Sequence, residues 1–512
     1  MTRSARVFGG VGLGQAHLVL ATLVGLWLTP VLLARVGPEQ YGLWLVGLQL
    51  LGYLYLLDLG VVGLLPRETA YASGRIISGE PPALLAQTVA RIRGVIWWQV
   101  PAVLVVTVTA WALLPASWQP LRAPLTWVLL FFAVTFPTRA YHAVLQGLQD
   151  LVFLGQVQLV AWSTGTAVLV ALVFSGVGLP ALAAGWLVTQ GITVAACWGR
   201  IRLRHPAVWT RRLEAVSGVE ARAFLARSIW ISMAQVAQTL LAGSDVLLVG
   251  ALLGPAAAVP YACTAKLIQV LANHPQMLMQ AAAPALSEMR MSERRERLAT
   301  TTSALTRAML VLSGAIACLV VAANQDFVGW WVGPTQYGGG ALTLVLVAAM
   351  LARHVNTTTV YAVFCFGHER RLSITAVADG FVTVVTALVL VPQYGLLGVA
   401  VASLVGVVTV SYVPNLRVLA REIGVHSYTP LLELRGWFVR FVLCAAASAS
   451  LAALPLGHGL PQLLARAAGA AVMYSLVMFP YAVTGTLGVY VRRFLPHPLQ
   501  AWGARLHRAD AA

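Results

Sequence analysis

Six ionisable side chains interrupt runs that otherwise carry little or no charge. Three are carboxylates, Asp58, Asp245 and Asp379, and three are cations, Arg139, Lys266 and Arg353. A charge inside an apolar span costs a few kcal/mol or more unless it is paired or faces water, so such residues mark internal ion pairs or a transport path. The two guanidiniums suit bidentate binding of phosphate oxygens, which a planar fork of N–H donors matches. A carboxylate at the same depth either balances such a cation or titrates. His142 lies one turn after Arg139 and His354 beside Arg353; with His17 and His274 they read most simply as packing or hydrogen-bonding residues. The five cysteines, Cys197, Cys263, Cys318, Cys365 and Cys444, stand singly with no C-x-x-C, so neither zinc nor a disulfide framework is suggested. No residue is assigned to catalysis or to a metal, and no cofactor is expected.

The elements that must hold these groups are membrane spans. Hydrophobic residues make up 59% of the 512-residue chain and charged ones 10%, with a mean hydropathy of +0.80. Soluble domains are about a quarter charged, so the composition is that of a polytopic membrane protein. The net charge of +17 would fit nucleic-acid binding, but the basic residues sit in short loops between apolar spans, which excludes that reading. They comprise 33 Arg and one Lys, a ratio that reflects base composition more readily than chemistry. Met1 to Arg6 and the apolar run after it resemble a signal peptide, but without a convincing cleavage site the run is expected to stay as the first span.

Apolar stretches bounded by Pro, Gly or Arg predict fourteen spans. They lie near 11–33, 43–65, 94–114, 125–145, 154–174, 179–199, 228–253, 260–283, 308–325, 341–366, 374–391, 396–416, 441–456 and 467–489. With the amino terminus and every second connection taken as one face, 28 of the 34 basic residues fall there. The positive-inside rule makes that face cytoplasmic and puts both termini on it. Outer connections are short, the longest near 326–340, and carry only Glu39 and Asp326 as acids, which argues against a polymerase, a glycosyltransferase or any other enzyme. Arg200, Arg202, Arg204, Arg211 and Arg212 set topology and meet anionic lipid heads. Trp97, Trp98, Trp118, Trp330 and Trp331 read as interfacial anchors, whereas Tyr53 and Tyr55 either face a sugar or pack.

Helical rise, about 1.5 Å per residue, converts position into depth. Asp58 and Arg139 then share a level, about 10 and 9 Å from the cytoplasmic end of their spans, and Asp245 and Lys266 share one about 12 and 9 Å from the outer end. Arg353 falls near the midplane and Asp379 about 8 Å inside the cytoplasmic end of its span. Two readings stay open: three structural ion pairs, with Asp245 beside Lys266, or side chains lining a cavity. Pro137 kinks the fourth span beside Arg139 in the second reading.

An internal echo adds organisation. Gly37-Pro38 with Tyr41 follows the first span, and Gly254-Pro255 with Tyr261 follows the seventh, so six spans lie in each unit and two remain. The expected domains are a six-helix bundle over 1–199, a basic cytoplasmic linker over 200–227, a second bundle over 228–416, two further spans over 417–489, and a basic tail over 490–512.

Certain stretches resemble a known family. Leu33 to Trp44, Leu57-Asp58-Leu59-Gly60 and Pro66-Arg67-Glu68-Thr69-Ala70 are similar to the amino-terminal signature of polysaccharide-biosynthesis transporters. These are the O-antigen-type oligosaccharide flippases of the multidrug/oligosaccharidyl-lipid/polysaccharide superfamily. Leu145 to Gln149, Ser244 to Gly250, Tyr261 to Lys266 and Pro392 to Gly398 extend the match. The chain departs from the pattern between Gly254 and Tyr261, where three Ala and a Pro replace more polar residues. The resemblance implies an all-α integral membrane protein of about fourteen transmembrane helices, two six-helix bundles around a central cavity plus two carboxy-terminal helices. It also implies alternating access that carries a polyprenyl-diphosphate-linked oligosaccharide across the cytoplasmic membrane for cell-surface polysaccharide, in lipopolysaccharide-type pathways. Arg139, Arg353 and Lys266 would hold the diphosphate. Asp58, Asp245 and Asp379 would balance charge or couple to H+ or Na+. Membrane lipids and glycan polymerase or assembly proteins are the implied partners. The alternatives are a multidrug or cation antiporter of the same superfamily and, further off, a membrane-embedded glycosyltransferase.

Overall fold

The computed structural model describes residues 3–77, 81, 83–208, 218–292, 295–425, 434–455 and 459–491. Every regular element among them is helical, as the long apolar runs require. In hydrocarbon a backbone must satisfy its own N–H and C=O groups, and a helix does so within one segment. Among the described residues twelve helices are long and apolar enough to cross a membrane, or thirteen if the bent pair Gln235–Leu241 and Gly243–Leu252 counts as one span. Fourteen were expected. The remaining one, 260–283, lies in a continuous helix, Pro255–Ser292, where Lys266, Gln269, Asn273, His274 and Gln276 dilute the hydropathy.

The chain divides into two compact units, Met1–Thr239 with Gly254–Ala258, and Leu240–Leu253 with Val259–Ala512. In the first, the site depends on α1 (Arg3–Arg35), α2 (Pro38–Leu54), α3 (Val61–Ile77), α4 (Ala83–Ala112), α5 (Gln119–Thr135), α6 (Arg139–Gly147), α7 (Leu151–Phe174) and α8 (Leu179–Arg204). There α7 packs on α1 and α8, α5 on α2 and α8, and α3 on α4 and α6. The expected second span, 43–65, is not one helix. A 3-10 turn, Tyr55–Asp58, ends α2, and α3 starts anew at Val61. Span four is likewise interrupted by a 3-10 turn at Phe136–Thr138, at the proline expected to kink it.

Next along the chain come α9 (Gly218–Leu252) and α10 (Pro255–Ser292), and the second unit continues with α11 (Arg295–Val332), α12 (Gly340–Cys365), α13 (Glu369–Tyr394), α14 (Leu396–Gly406) and α15 (Val413–Ile423); a π-helical turn, Val407–Tyr412, joins the last two. Helices Arg435–Ala453 and Leu460–Val483 pack on α11. The short span expected at 308–325 is part of the 38-residue α11. Asp326, expected in an outer loop, is therefore helical and buried, ion-paired with buried Arg466 of the Leu460–Val483 helix.

The sequence echo has a structural counterpart. Gly37 and Gly254 adopt φ of 88° and 95°, and each is followed by a helix that starts at the next residue, Pro38 or Pro255. Glycine reaches positive φ without steric cost, and proline at the first helical position gives up an N–H that had no partner anyway. Arg211 and Arg212 of the basic linker, and the tail beyond residue 491, lie outside the described residues.

Candidate functional site

The first unit builds its site on the break at Asp58. The Asp58 side chain is fully buried, and its Oδ1 accepts the Gly60 N–H at 2.9 Å, closing a turn on its own backbone. Leu59 and Gly60 take left-handed conformations, φ 49° and 73°. A Cβ on Gly60 would lie 2.8 Å from the Ser228 carbonyl oxygen and 2.9 Å from the Ser232 nitrogen, so backbone conformation and close approach both demand glycine. Gln99, buried on α4, donates to the Asp58 carbonyl at 3.0 Å, and Ser228 donates to that of Leu59 at 2.8 Å. The L-D-L-G stretch is thus a built turn, and its acid points inward. Arg139, first residue of α6 after the 3-10 turn, reaches the Asp58 Oδ2 with Nη2 at 3.2 Å. Its guanidinium lies 4.6 Å from the Tyr55 ring centroid and 5.7 Å from that of Phe136. Ring faces attract such a cation where water is scarce.

Arg139 and Tyr55 border two cavities of this unit. One, of about 560 Å³, is lined by residues of α1, α5, α6, α7 and α8, among them His17, His142, Trp162 and Trp186. The other, of about 340 Å³, adds Gly52, Leu56, Gln235, Gln238 and Thr239.

The second unit holds its acid differently. Asp379 lies within unbroken α13 and is 1% exposed. Ser411, on the π-helical turn, donates to its Oδ2 at 2.7 Å, and Thr383 donates to its Oδ1 at 3.3 Å. Arg353 of α12 places Nη1 3.5 Å from Oδ2 and donates from Nη2 and Nε to the Ser403 hydroxyl at 2.9 and 3.3 Å. A π turn inserts one residue into a helix; here it carries Ser411 to the carboxylate.

Sequence depth brought Asp58 to Arg139, and the structure joins them. It also joins Arg353 to Asp379, which the depths left about mid-span and near one end. Asp245 and Lys266, matched in depth, are not paired: Asp245 accepts from the Tyr261 hydroxyl at 2.6 Å, while Lys266 makes no ion pair among the described residues. His354, beside Arg353, is buried and bonded to Ser313 at 2.6 Å, as a packing residue would be; His142 lines the larger cavity. Arg200, read only as a topology signal, chelates Asp150 at 2.7 and 3.1 Å. Burial holds neighbouring His205, 4.0 Å from Asp150, below the ordinary imidazole range. Gln99, Ser403 and Ser411 escaped sequence reading because buried hydroxyls and amides in apolar runs carry no pattern. The described residues contain no cluster of three or more His, Cys, Asp or Glu that could hold a metal.

Comparison with known proteins follows the same direction. A model of the family described as polysaccharide biosynthesis protein matches residues 97–329. The fold is similar to the solved structure of the lipid II flippase MurJ in an inward closed conformation. That match has a TM-score of 0.66 at 10% identity and covers 91% of this chain and 98% of that one. A MATE structure in complex with Br-NRF aligns at a TM-score of 0.43 and 13% identity, over 82% and 96% of the two chains. No curated protein matches. The family match and the fold agree: this multi-pass membrane protein is similar over residues 97–329 to proteins described as polysaccharide biosynthesis proteins, and it has the fold of the lipid II flippase MurJ.

Proposed function

We propose that the protein is a flippase that moves a polyprenyl-diphosphate-linked oligosaccharide across the cytoplasmic membrane by alternating access, with both termini in the cytoplasm. The observation that carries this is Arg139: a guanidinium held in a membrane bundle by one carboxylate, yet bordering two cavities. Phosphate oxygens can share that fork with Asp58, since a planar guanidinium has five N–H donors. Arg353 and Lys266 would supply further positive charge to the diphosphate, and Asp58, Asp245 and Asp379 would balance it or couple transport to H+ or Na+.

The test is to delete the gene and extract the lipids of the cytoplasmic leaflet. Accumulation of one lipid-linked glycan there, cleared by re-expression of the wild-type chain, is the expected outcome. Sensitivity to cationic drugs with no such accumulation would replace the flippase by the antiporter reading.

A further inference from the structure

The larger cavity of the first unit has a lining that charge balance does not explain. Its threonines are spent: Thr135, Thr138, Thr189 and Thr193 each donate to a carbonyl of their own or an adjoining helical turn. Its amides and imidazoles are not. The side chains of His142, Gln158 and Gln190 make no hydrogen bond among the described residues, and His17 Nε2 is buried without a partner. The buried His17 nitrogen costs free energy unless something satisfies it, whereas His142 and Gln158 are exposed and Gln190 half-buried, so their polar atoms are open to water or to a ligand that enters the cavity. Two indoles stand among them, each braced edge-on by another ring: Trp162 by His17 at 5.4 Å and Trp186 by Phe131 at 6.2 Å. Their positions are thereby fixed. A volume of about 560 Å³ lies within the range of small-molecule sites, about 300–1,000 Å³.

A ring with apolar C–H faces and a rim of hydroxyls or an acetamide is the ligand this lining complements. The faces pack on indole planes, and the rim meets amides and imidazoles of both donor and acceptor character. Phosphate alone would leave the indoles unused, and an acyl tail would leave the amides and imidazoles unpartnered. We propose that this cavity is a sugar pocket that takes one pyranose ring, the ring joined to the diphosphate, which lies next to it on Arg139. The placement rests on the flippase reading, because only a sugar adjacent to phosphate would bridge Arg139 and this cavity.

The experiment uses the purified full-length chain in detergent and a labelled polyprenyl diphosphate displaced by unlabelled competitors. The competitors are the bare lipid and the same lipid bearing glucose, galactose or N-acetylglucosamine. At least one glycosylated lipid should compete about tenfold or more better than the bare one, because a site with hydrogen-bonding groups discriminates against a ligand lacking their partners. Gln158→Leu with Gln190→Leu should collapse that ratio toward one. Trp186→Ala should lower it, while Trp186→Phe, which keeps an aromatic face, should retain most of it. Thermal unfolding of each variant separates a lost pocket from a lost fold. Equal competition by all lipids in the wild type, or a ratio untouched by the variants, overturns the sugar pocket and leaves the flippase standing. Failure of the labelled lipid to bind at all removes both.

Discussion

Asp58–Arg139 and Asp379–Arg353 are two answers to one problem, a carboxylate and a guanidinium kept in an apolar bundle. The first unit breaks its helix to do it. The acid caps a turn through Gly60, Leu59 is forced to φ 49°, and two aromatic rings flank the cation. The second unit keeps α13 whole and surrounds the pair with the hydroxyls of Thr383, Ser403 and Ser411. The difference is one of redundancy. Arg139 has its carboxylate and two ring faces, whereas Arg353 has its carboxylate and also donates to the Ser403 hydroxyl, and that carboxylate accepts from two further hydroxyls. Arg139, the singly held cation, borders two cavities, which is where a site gains by leaving donors available for a substrate.

That contrast can be tested, starting with transport. Arg139→Gln should abolish glycan-lipid flipping in a reconstituted assay, scored per molecule of inserted protein because the change also leaves Asp58 without its cation, since a neutral amide cannot hold diphosphate; flipping at the wild-type rate per molecule would make the residue a strut instead. Next is stability. Asp58→Asn strands Arg139, and breaking a buried pair costs about 3–5 kcal/mol, to be read as lowered unfolding temperature in detergent. Adding Arg139→Gln should return most of it. Asp379→Asn should cost less, about 1–3 kcal/mol, because Asn still accepts from Ser411 and the Ser403 hydroxyl still accepts from Arg353; an equal or larger loss would end the claim of redundancy. The smallest effect is expected at Ser403→Ala, about 0.6 kcal/mol, an average for hydrogen bonds between membrane helices, measured by the same unfolding assay.

Much of the fold was legible because hydropathy and punctuation are local. A span is a sum over about 20 neighbours, and Gly37-Pro38 and Gly254-Pro255 announce their turns in two residues. Asp58 with Arg139 was legible for a related reason: helical rise turns sequence distance into depth. The same arithmetic misjudged Asp245 and Lys266, and it offered nothing for Asp326 with Arg466, 140 residues apart. Depth is one coordinate of three. A shift of one residue along a helix turns its side chain by about 100°, so two groups at one level meet only if both helices are rotated to face each other. The break at Asp58 was hidden too, because Leu-Asp-Leu-Gly within an apolar run scores as span whether or not it is helical.

Composition and the spacing of prolines, glycines and arginines therefore settled that this is an all-helical membrane chain, where most spans lie, and which ionisable residues sit inside them. Tertiary packing decided which of those charges meet, that α2 gives way at Leu54 to the turn that ends in Asp58, that a π turn delivers Ser411, and that amides of α7 and α8 share a cavity with Arg139. Transfer energies add residue by residue along the chain, whereas a contact between side chains depends on the azimuth, tilt and closeness of two helices that only the packed bundle sets.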